Sequence, residues 1–382
     1  MKKEEISEYD HFLELVLKEV DKGIEGINTG IPLPLKRLET FINGIQKQFY
    51  VLIGGMSGTG KTALADLLYV MGPYLWVKAQ ERLPEDKRSK IKLKIIYRSM
   101  ERSKKYKIQK WTCIYLYLKH GITMDVPTIN GWSSKLFDIT PEIREKIVSA
   151  SKFINDMLNS GIVEIHDGAE NPTGIWKNAV TFAHSVGKLK IVETVTKEGY
   201  IKKEKVYTPD DPDLYPILIE DHLGKLKTET IEGIRLKGKS LIDKMSEYNG
   251  ILRDVYGFTI IAISQFNRSL ADSTRMKNKV LSPEPSDFKE TGNTYEDADL
   301  VLALLNPYKL GVSRDLGYDV DSFVTSKRYN RYRSLFVLKN SFGVDDVGMG
   351  LLFRGEMGLW EELPKPEDKA DLEKIYEKLK RE

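Results

Sequence analysis

A chain of 382 residues is long enough to form one large α/β domain or two ordinary domains. Hydrophobic residues make up 41% of the sequence and charged residues 30%, a balance that is typical of a soluble globular protein. The 59 Lys and Arg residues nearly balance the 56 Asp and Glu residues, which leaves a net charge of +3. This charge excludes a uniformly basic protein, so any nucleic-acid site must be a local patch.

The single cysteine, Cys113, excludes an intramolecular disulfide and is typical of a reducing compartment. No apolar run is long enough to span a bilayer, and the charged start of the chain does not resemble a signal peptide. We therefore expect a cytoplasmic protein without a membrane partner.

The first predicted element is an amphipathic helix from about residue 7 to residue 22, where apolar residues recur at helical spacing. It could pack on its own domain or on a neighbouring subunit, and the pattern by itself favours neither. We assign residues 1–25 to this helix, residues 26–363 to the main domain, and residues 364–382 to a charged C-terminal helix with a narrow apolar stripe.

A glycine-rich motif, GMSGTGKT at residues 55–62, lies between an apolar strand and an apolar helix. It fits the pattern G-x-x-x-x-G-K-S/T in the strand–loop–helix context that the pattern requires. The glycines let successive N–H groups point at phosphate oxygens, next to a helix N-terminus. We predict that this phosphate-binding loop holds ATP with Mg²⁺, with the lysine on the β- and γ-phosphates and the threonine on the metal. The predicted binding residues are Gly55, Ser57, Gly58, Thr59, Gly60, Lys61 and Thr62.

Strands and helices alternate after this loop, which predicts an α/β fold with a doubly wound, mostly parallel sheet. The predicted core strands cover about residues 94–99, 162–166, 216–221, 258–264 and 299–305, and shorter strands follow near residues 335, 349 and 358. A β-hairpin at about residues 188–210 interrupts this alternation, and the sequence assigns it no function.

Polar side chains follow three of the predicted strands: Glu101, Asp221 and Gln265. Because ligands bind beyond the carboxyl ends of the strands in such sheets, we expect these groups to meet at the phosphate-binding loop. Asp221 is predicted to hold Mg²⁺ together with Thr62, and Glu220 is the alternative for that role. Glu101 is the candidate that orients the attacking water, and the amide of Gln265 can sense the γ-phosphate.

The order of these motifs resembles the RecA-like motor domain of DnaB-type replicative helicases, over about residues 26–363. The family's S-L-E is similar to SME at residues 99–101, its I-D-Y-L to EDHL at residues 220–223, and its L-S-Q to ISQ at residues 263–265. The longer family element L-S-D-L-R-E-S-G-x-I-E-Q-D-A-D is similar to PSDFKETGNTYEDAD at residues 285–299. The resemblance implies a hexameric helicase that couples ATP hydrolysis at subunit interfaces to movement on single-stranded DNA. It also implies that Glu101 is the catalytic glutamate and that Asp221 binds the metal.

One family element differs in a catalytic position. The family's K-x-R-x-G places a lysine and an arginine finger against the neighbouring subunit's γ-phosphate, and the corresponding stretch here reads KNSFG. Lys339 is retained as a catalytic candidate, but Ser341 stands where the arginine is expected. Either Lys339 or one of Arg331, Arg333 and Arg354 takes over that role, or hydrolysis is slow.

The family's N-terminal primase-binding domain has no counterpart in the sequence, and we expect the N-terminal helix to correspond to the family's linker helix. In the family that helix docks on the adjacent subunit. Compact helicases of this design are typical of phage replication systems, which would place the protein in the host cytoplasm. The resemblance also implies a primase or a loader as a partner.

The resemblance assigns DNA binding to two loops, one after Asp221 and one after Gln265. Both loops are rich in Lys and Arg, as contacts to a nucleic-acid backbone require, although solvated loops also have this composition. The predicted DNA-binding residues are Lys225, Lys227, Arg235, Lys237, Arg268, Arg275 and Lys277.

Two other functions remain open. The chain could be a non-helicase RecA-like ATPase, such as a recombination mediator or a KaiC-like assembly ATPase, or a ring subunit that binds ATP to hold a partner. The absent arginine favours the first alternative, whereas the basic loops and the match at residues 285–299 favour the helicase. Glu101 and Gln265 argue against a purely structural subunit.

We expect Lys61→Ala to abolish ATP hydrolysis, because the ammonium group of this lysine is the fixed positive charge on the β- and γ-phosphates. Release of inorganic phosphate by the purified variant is the measurement. Turnover at the wild-type rate would show that the phosphate-binding loop has been assigned wrongly.

Overall fold

The computed structural model describes residues 30–132, 139–195, 200–267, 282–288 and 292–381, together with the isolated positions 16, 17, 20, 21, 23 and 275. The predicted N-terminal helix lies outside the described residues except at those isolated positions, which are helical. Two of the predicted DNA-binding residues, Arg268 and Lys277, also lie outside them, as does the turn of the predicted hairpin at residues 196–199.

The described residues form fifteen strands, numbered here in chain order. They are β1 (Tyr50–Gly55), β2 (Lys92–Ser99), β3 (Val163–Asp167), β4 (Gly187–Val195), β5 (Ile201–Pro209), β6 (Leu214–Asp221), β7 (Glu229–Ile231), β8 (Ile234–Leu236), β9 (Thr259–Ile263), β10 (Leu300–Leu305), β11 (Arg314–Asp315), β12 (Tyr318–Asp319), β13 (Tyr332–Asn340), β14 (Val347–Arg354) and β15 (Leu359–Glu362).

Ten α-helices accompany the strands within the described residues. They are α1 (Lys36–Glu39), α2 (Lys61–Asp66), α3 (Gly72–Gln80), α4 (Lys104–His120), α5 (Val126–Ile129), α6 (Pro141–Asn159), α7 (Pro172–Ser185), α8 (Lys239–Asp254), α9 (Gly292–Asp297) and α10 (Lys369–Lys380). A π-helical segment, Leu67–Met71, joins α2 to α3. Among the described residues, none of the helices combines the length and the apolar character that a bilayer span requires.

Nine strands form the central sheet, in the order β15-β14-β13-β10-β1-β9-β6-β2-β3. The six strands from β10 to β3 are parallel to one another, and β13, β14 and β15 extend the sheet in antiparallel fashion. Every residue of β1, β9 and β10 is buried, as expected for apolar strands that are covered by helices on both faces. The predicted doubly wound, mostly parallel sheet is therefore confirmed, as is the inserted hairpin, which is formed by β4 and β5.

The two faces of the sheet pack against different helices, because successive strand residues point to opposite faces. One face contacts α2, α4 and α6 through residues such as Leu64, Trp111 and Ile154. The other face contacts α7 and α8 through residues such as Ile175 and Met245. All five of these side chains are no more than 1% exposed, so the helices fix the strand ends from both sides.

The predicted C-terminal helix is α10, and its apolar stripe packs on the domain. Leu372 and Leu379 are buried beside the aromatic residues Tyr318 and Phe323. The strands β7, β8, β11 and β12 were not predicted, because strands of two or three residues are too short to show a periodicity in the sequence.

Strand alternation also separates Glu220 from Asp221, which competed for one role in the sequence. Glu220 is fully buried on the face that α8 covers, where Asn249 Nδ2 donates to its Oε2 at 2.8 Å. Its Oε1 has no hydrogen-bond partner among the described residues. Burial raises the pKa of Glu220 to about 7. Glu220 is therefore a buried core carboxyl group that points away from the phosphate-binding loop.

We expect Glu220→Gln to become more stabilising, relative to the wild type, as pH rises. The folded wild type binds the proton more tightly than the unfolded chain does, so Glu220 costs stability as pH rises from about 4.5 to about 7. Glutamine keeps an acceptor for Asn249 and carries no charge. The difference in unfolding free energy should grow by about 3 kcal/mol between pH 4.5 and pH 8, measured by urea denaturation in EDTA. The exposed Glu85→Gln variant is the control, and equal pH profiles for Glu220→Gln and the wild type would contradict the expectation.

Candidate active site

The carboxyl ends of β1, β2, β6 and β9 lie at one edge of the sheet, since Ser99 is in register with Asp221 and Ile53 with Ile263. A cleft of about 630 Å³ opens at this edge. Among the residues that line it are the predicted site residues Ser57, Gly58, Gly60, Lys61, Thr62, Glu101, Asp221, Lys225 and Gln265. Gly55 ends β1 beneath the loop, and Thr59 is buried with its hydroxyl donating to the carbonyl of Met56 at 2.9 Å. The structure thus brings the predicted nucleotide residues together.

The glycine at position 60 is required both by its backbone and by its neighbours. Its φ of +103° lies in the left-handed region, which side chains rarely adopt. A Cβ atom at this position would lie 2.6 Å from the ring of Trp360 and 2.8 Å from the ring of Phe353. These two rings stack with their centroids 4.3 Å apart. The loop therefore rests directly on an aromatic pair from β14 and β15.

Two lysines lie at the loop. Lys61 Nζ donates to the carbonyls of Gly55 at 2.8 Å and Met56 at 3.0 Å, and burial lowers its pKa to about 8. Lys309, which the sequence analysis missed, belongs to the 3₁₀ helix Pro307–Leu310 that follows β10. Its Nζ lies 3.2 Å from the position of a Cβ atom on Gly58, so the absence of a side chain there lets this ammonium approach the loop. Both cations suit a polyphosphate ligand.

The predicted metal residues touch each other. Thr62 Oγ1 donates to Asp221 Oδ1 at 2.8 Å, and Asp221 is 1% exposed. A hydroxyl and a carboxylate oxygen are the hard donors that Mg²⁺ prefers. No group of three or more His, Cys, Asp or Glu side chains among the described residues could hold a metal by itself. The residues therefore fit an ion that is completed by phosphate oxygens and water, as is usual for Mg²⁺.

A buried lysine that the sequence analysis missed lies behind Asp221. Lys107 Nζ donates to Asp221 Oδ2 at 3.0 Å, to Asp66 Oδ1 at 3.1 Å and to the hydroxyl of Tyr97, which itself donates to Asp221 Oδ2 at 3.0 Å. Burial lowers the pKa of Lys107, but the two carboxylates outweigh it and leave that pKa raised. Burial likewise raises the pKa of Asp221, and Lys107 together with the hydrogen bonds brings it below its usual value. The sequence signal was a lysine at helical spacing with the buried Trp111.

Glu101 lies at the mouth of the cleft, just after β2, with His222 as its neighbour. His222 Nε2 is 3.5 Å from Glu101 Oε2, and His222 Nδ1 accepts from the N–H of Gly224 at 3.1 Å. Burial lowers the pKa of His222, so the neutral ring with its proton on Nε2 faces the carboxylate. Gln265 is exposed to the same cleft, two residues after β9.

Lys339 lies at the opposite edge of the sheet from the chain's own loop. Its neighbour in sequence, Asn340, pairs with Leu300, the first residue of β10. Lys339 Nζ donates to the carbonyl of Glu296 at 2.7 Å. Any catalytic contact from Lys339 would therefore be with a different subunit. The adjacent Phe342 is 68% exposed.

The three arginines considered as substitutes for the arginine finger are buried and engaged within the chain. Arg331 pairs with Glu356, and Arg354 pairs with Glu361 at 2.8 Å. Arg333 donates to the carbonyl of Asn330 at 3.1 Å and lies over the ring of Phe353. In this arrangement they stabilise the antiparallel end of the sheet.

The predicted DNA-binding residues fall into two groups. Four are exposed on the segment that follows Asp221 and form no ion pair among the described residues: Lys225, Lys227, Arg235 and Lys237. Arg275 differs, because its guanidinium pairs with Asp287 at 2.5 Å and donates to the carbonyl of Ser282 at 2.8 Å. The placement of Arg275 thus gives it a structural contact, and the DNA role stays a prediction.

We expect Gly60→Ala to lose nucleotide binding by at least tenfold, because the methyl group would enter the Phe353–Trp360 pair and the residue would keep a strained φ. Binding of a fluorescent ADP analogue is the measurement. Gly121→Ala is the matched control, since its φ of +66° imposes similar strain where a Cβ meets nothing within 4 Å. Equal affinities for the two variants would argue against a role for the aromatic pair.

Neither a protein-family model nor a curated protein matches this sequence. Solved structures do match it. The ATPase domain of a phage helicase superposes with a TM-score of 0.63 at 18% identity, covering 95% of this chain and 100% of that one. A DnaB-like replicative helicase, described with its interactions with primase, superposes with a TM-score of 0.62 at 18% identity, covering 93% of this chain and 67% of that one. The chain therefore has the RecA-like α/β fold of DnaB-like helicase ATPase domains.

Proposed function

We propose that this protein is an ATP-dependent DNA helicase of the DnaB-like kind. The observation that carries the proposal is the contact between Thr62 and Asp221 in a cleft that also contains Lys61, Glu101 and Gln265. A metal ligand pair, a phosphate cation, a carboxylate and an amide at one sheet edge are the parts that nucleotide hydrolysis requires. The fold shared with DnaB-like ATPase domains supports the assignment to a helicase.

In the proposed reaction the backbone N–H groups of the loop and the ammonium of Lys61 bind the triphosphate. Thr62 and Asp221 would hold Mg²⁺, which supplies positive charge to the phosphate oxygens when bound. Lys61 exchanges its present carbonyl partners for phosphate oxygens, so its charge is already held inside the loop before the nucleotide arrives. This preorganisation favours the developing charge of the transition state.

Glu101 orients the attacking water and accepts its proton. The neutral ring of His222, at 3.5 Å, presents an N–H that restricts the directions in which the carboxylate can point. Gln265 distinguishes the triphosphate from the diphosphate, since its amide can both donate to the γ-phosphate and accept from the water.

Coupling to DNA follows from the chain path. Asp221 and His222 lead directly into the segment that carries Lys225, Lys227, Arg235 and Lys237, and Lys225 lines the nucleotide cleft itself. A change at the metal ligand therefore shifts exposed cations that can contact the backbone of single-stranded DNA. The segment after Gln265 provides the second such connection, and Arg268, Arg275 and Lys277 belong to it.

The shared-site part of the proposal is a ring, with six subunits by analogy with the DnaB family. Lys339 lies at the edge opposite the chain's own loop, so it can only assist hydrolysis on a neighbour. Residues 1–25 would serve as the docking helix, residues 26–363 as the motor, and residues 364–382 as its C-terminal brace. A primase or loader is the proposed protein partner, because one structural neighbour is described with primase. This compact organisation also favours a phage replication system.

A second candidate is a non-helicase RecA-like ATPase, such as a recombination mediator or an assembly ATPase. The observation that favours it is the absence of a trans arginine. Ser341 occupies that position, and Arg331, Arg333 and Arg354 are engaged within the chain.

We expect Glu101→Gln to bind ATP normally and to lose hydrolysis by about 10²- to 10⁴-fold, because the amide cannot accept the proton of the attacking water. ATP turnover with and without single-stranded DNA, and strand displacement on a forked duplex, are the measurements. The exposed Glu85→Gln variant is the control.

The wild type should hydrolyse ATP faster with single-stranded DNA and should separate the fork. A wild-type protein that shows neither DNA stimulation nor salt-sensitive DNA binding, but still hydrolyses ATP, would indicate the second candidate function instead.

A further inference from the structure

The two oxygens of the Asp221 carboxylate have different partners. Oδ1 accepts from Thr62 at 2.8 Å on the side of the cleft. Oδ2 accepts from Lys107 at 3.0 Å and from Tyr97 at 3.0 Å on the side of the core. A carboxylate with one oxygen held by two buried donors cannot rotate to offer both oxygens to a cation.

The group that holds Oδ2 is itself held from behind. Lys107 Nζ lies 3.1 Å and 3.3 Å from the two oxygens of Asp66, on the helix that begins with the phosphate-binding lysine. Lys107, Asp66 and Asp221 are all no more than 3% exposed. One ammonium between two carboxylates leaves one negative charge in this cluster, and the oxygen that faces the cleft is Oδ1 of Asp221.

Stability alone does not explain this cluster. A buried ion pair can often be replaced by apolar side chains of similar volume without loss of stability, because burying charges carries a desolvation cost. The surrounding core is apolar and well filled, with Trp111 and Ile114 following Lys107 on the same helix face. A charged pair at this position therefore calls for a role that Leu and Met could not fulfil.

We propose that Lys107 is a positioning residue for the metal site, which holds Asp221 so that only Oδ1 is presented to Mg²⁺. This inference rests on the proposed function, since it assumes that Asp221 and Thr62 serve a nucleotide-bound metal. Lys107 does not touch the nucleotide or the metal. It acts through Asp221, and Asp66 and Tyr97 fix its own position.

The same lysine ties Asp221 to Glu101. Helix α4 begins directly after the Glu101 segment, with Ser103 as its N-cap, and Lys107 lies one turn into it. The contact between Lys107 and Asp221 therefore fixes the start of α4 relative to β6. Metal ligand and catalytic carboxylate are held at a constant separation by one buried hydrogen bond.

The test is the double variant Asp66→Leu/Lys107→Met, which removes both charges of the pair together and so leaves the net charge near Asp221 unchanged. Binding of a fluorescent ADP analogue is titrated with Mg²⁺ and repeated in EDTA, and thermal unfolding is recorded in parallel. We expect unchanged affinity in EDTA, near wild-type melting, and an increase of about tenfold in the Mg²⁺ concentration for half-maximal effect. Lys104→Met, an exposed lysine on the same helix, is the matched control.

A second variant covers the case in which the double variant does not fold. Tyr97→Phe removes one of the two donors to Oδ2 and keeps the ring, and should raise the Mg²⁺ requirement by about threefold through the same cause. A Mg²⁺ requirement within twofold of the wild type, in whichever folded variant is measured, would overturn the positioning role. A wild type that binds no nucleotide, or binds it without regard to Mg²⁺, would instead refute the proposed function, and the inference would fall with it.

Discussion

The arrangement of this protein depends on one hydrogen bond, from the hydroxyl of Thr62 to Oδ1 of Asp221. It joins the first turn of the helix after the phosphate-binding loop to the carboxyl end of β6, two segments that are 159 residues apart in sequence. The parallel sheet makes this contact possible, because the helix crosses the face to which odd-numbered residues of β6 point. A shift of one residue in the register of β6 would turn Glu220 towards the loop and leave the metal site without its carboxylate.

The sheet also divides the proposed reaction between two edges. The nucleotide cleft lies where β1, β2, β6 and β9 end, whereas Lys339 lies where β10 begins. A subunit with complementary half-sites on opposite edges associates head to tail, and such contacts close into a ring when the rotation permits. Ser341 and the exposed Phe342 at the second edge indicate that the contribution of this edge to a neighbour differs from that in the DnaB family.

The sequence predicted the parts of the site that belong to a local pattern. The loop at residues 55–62 carries its own motif, and the residues at strand ends follow from the behaviour of parallel sheets. The choice between Glu220 and Asp221 needed the facing helices, which decide the side on which each residue lies. Lys107 and Lys309 were missed because their roles arise from contacts across 114 and 251 residues of chain to Asp221 and Gly58, and no local pattern reports such contacts. The arginines near residue 331 looked equally available in the sequence, since burial and pairing appear only in three dimensions.

The aromatic pair beneath Gly60 has a consequence for dissecting the protein. Phe353 and Trp360 come from the last two strands of the sheet, about 300 residues after the loop that they support. A fragment that ends before them would contain the whole glycine-rich motif and still lack the surface on which that motif rests. Nucleotide affinity in this chain therefore reports on the completion of its carboxyl-terminal strands, and during synthesis the loop would become competent only after those strands had left the ribosome.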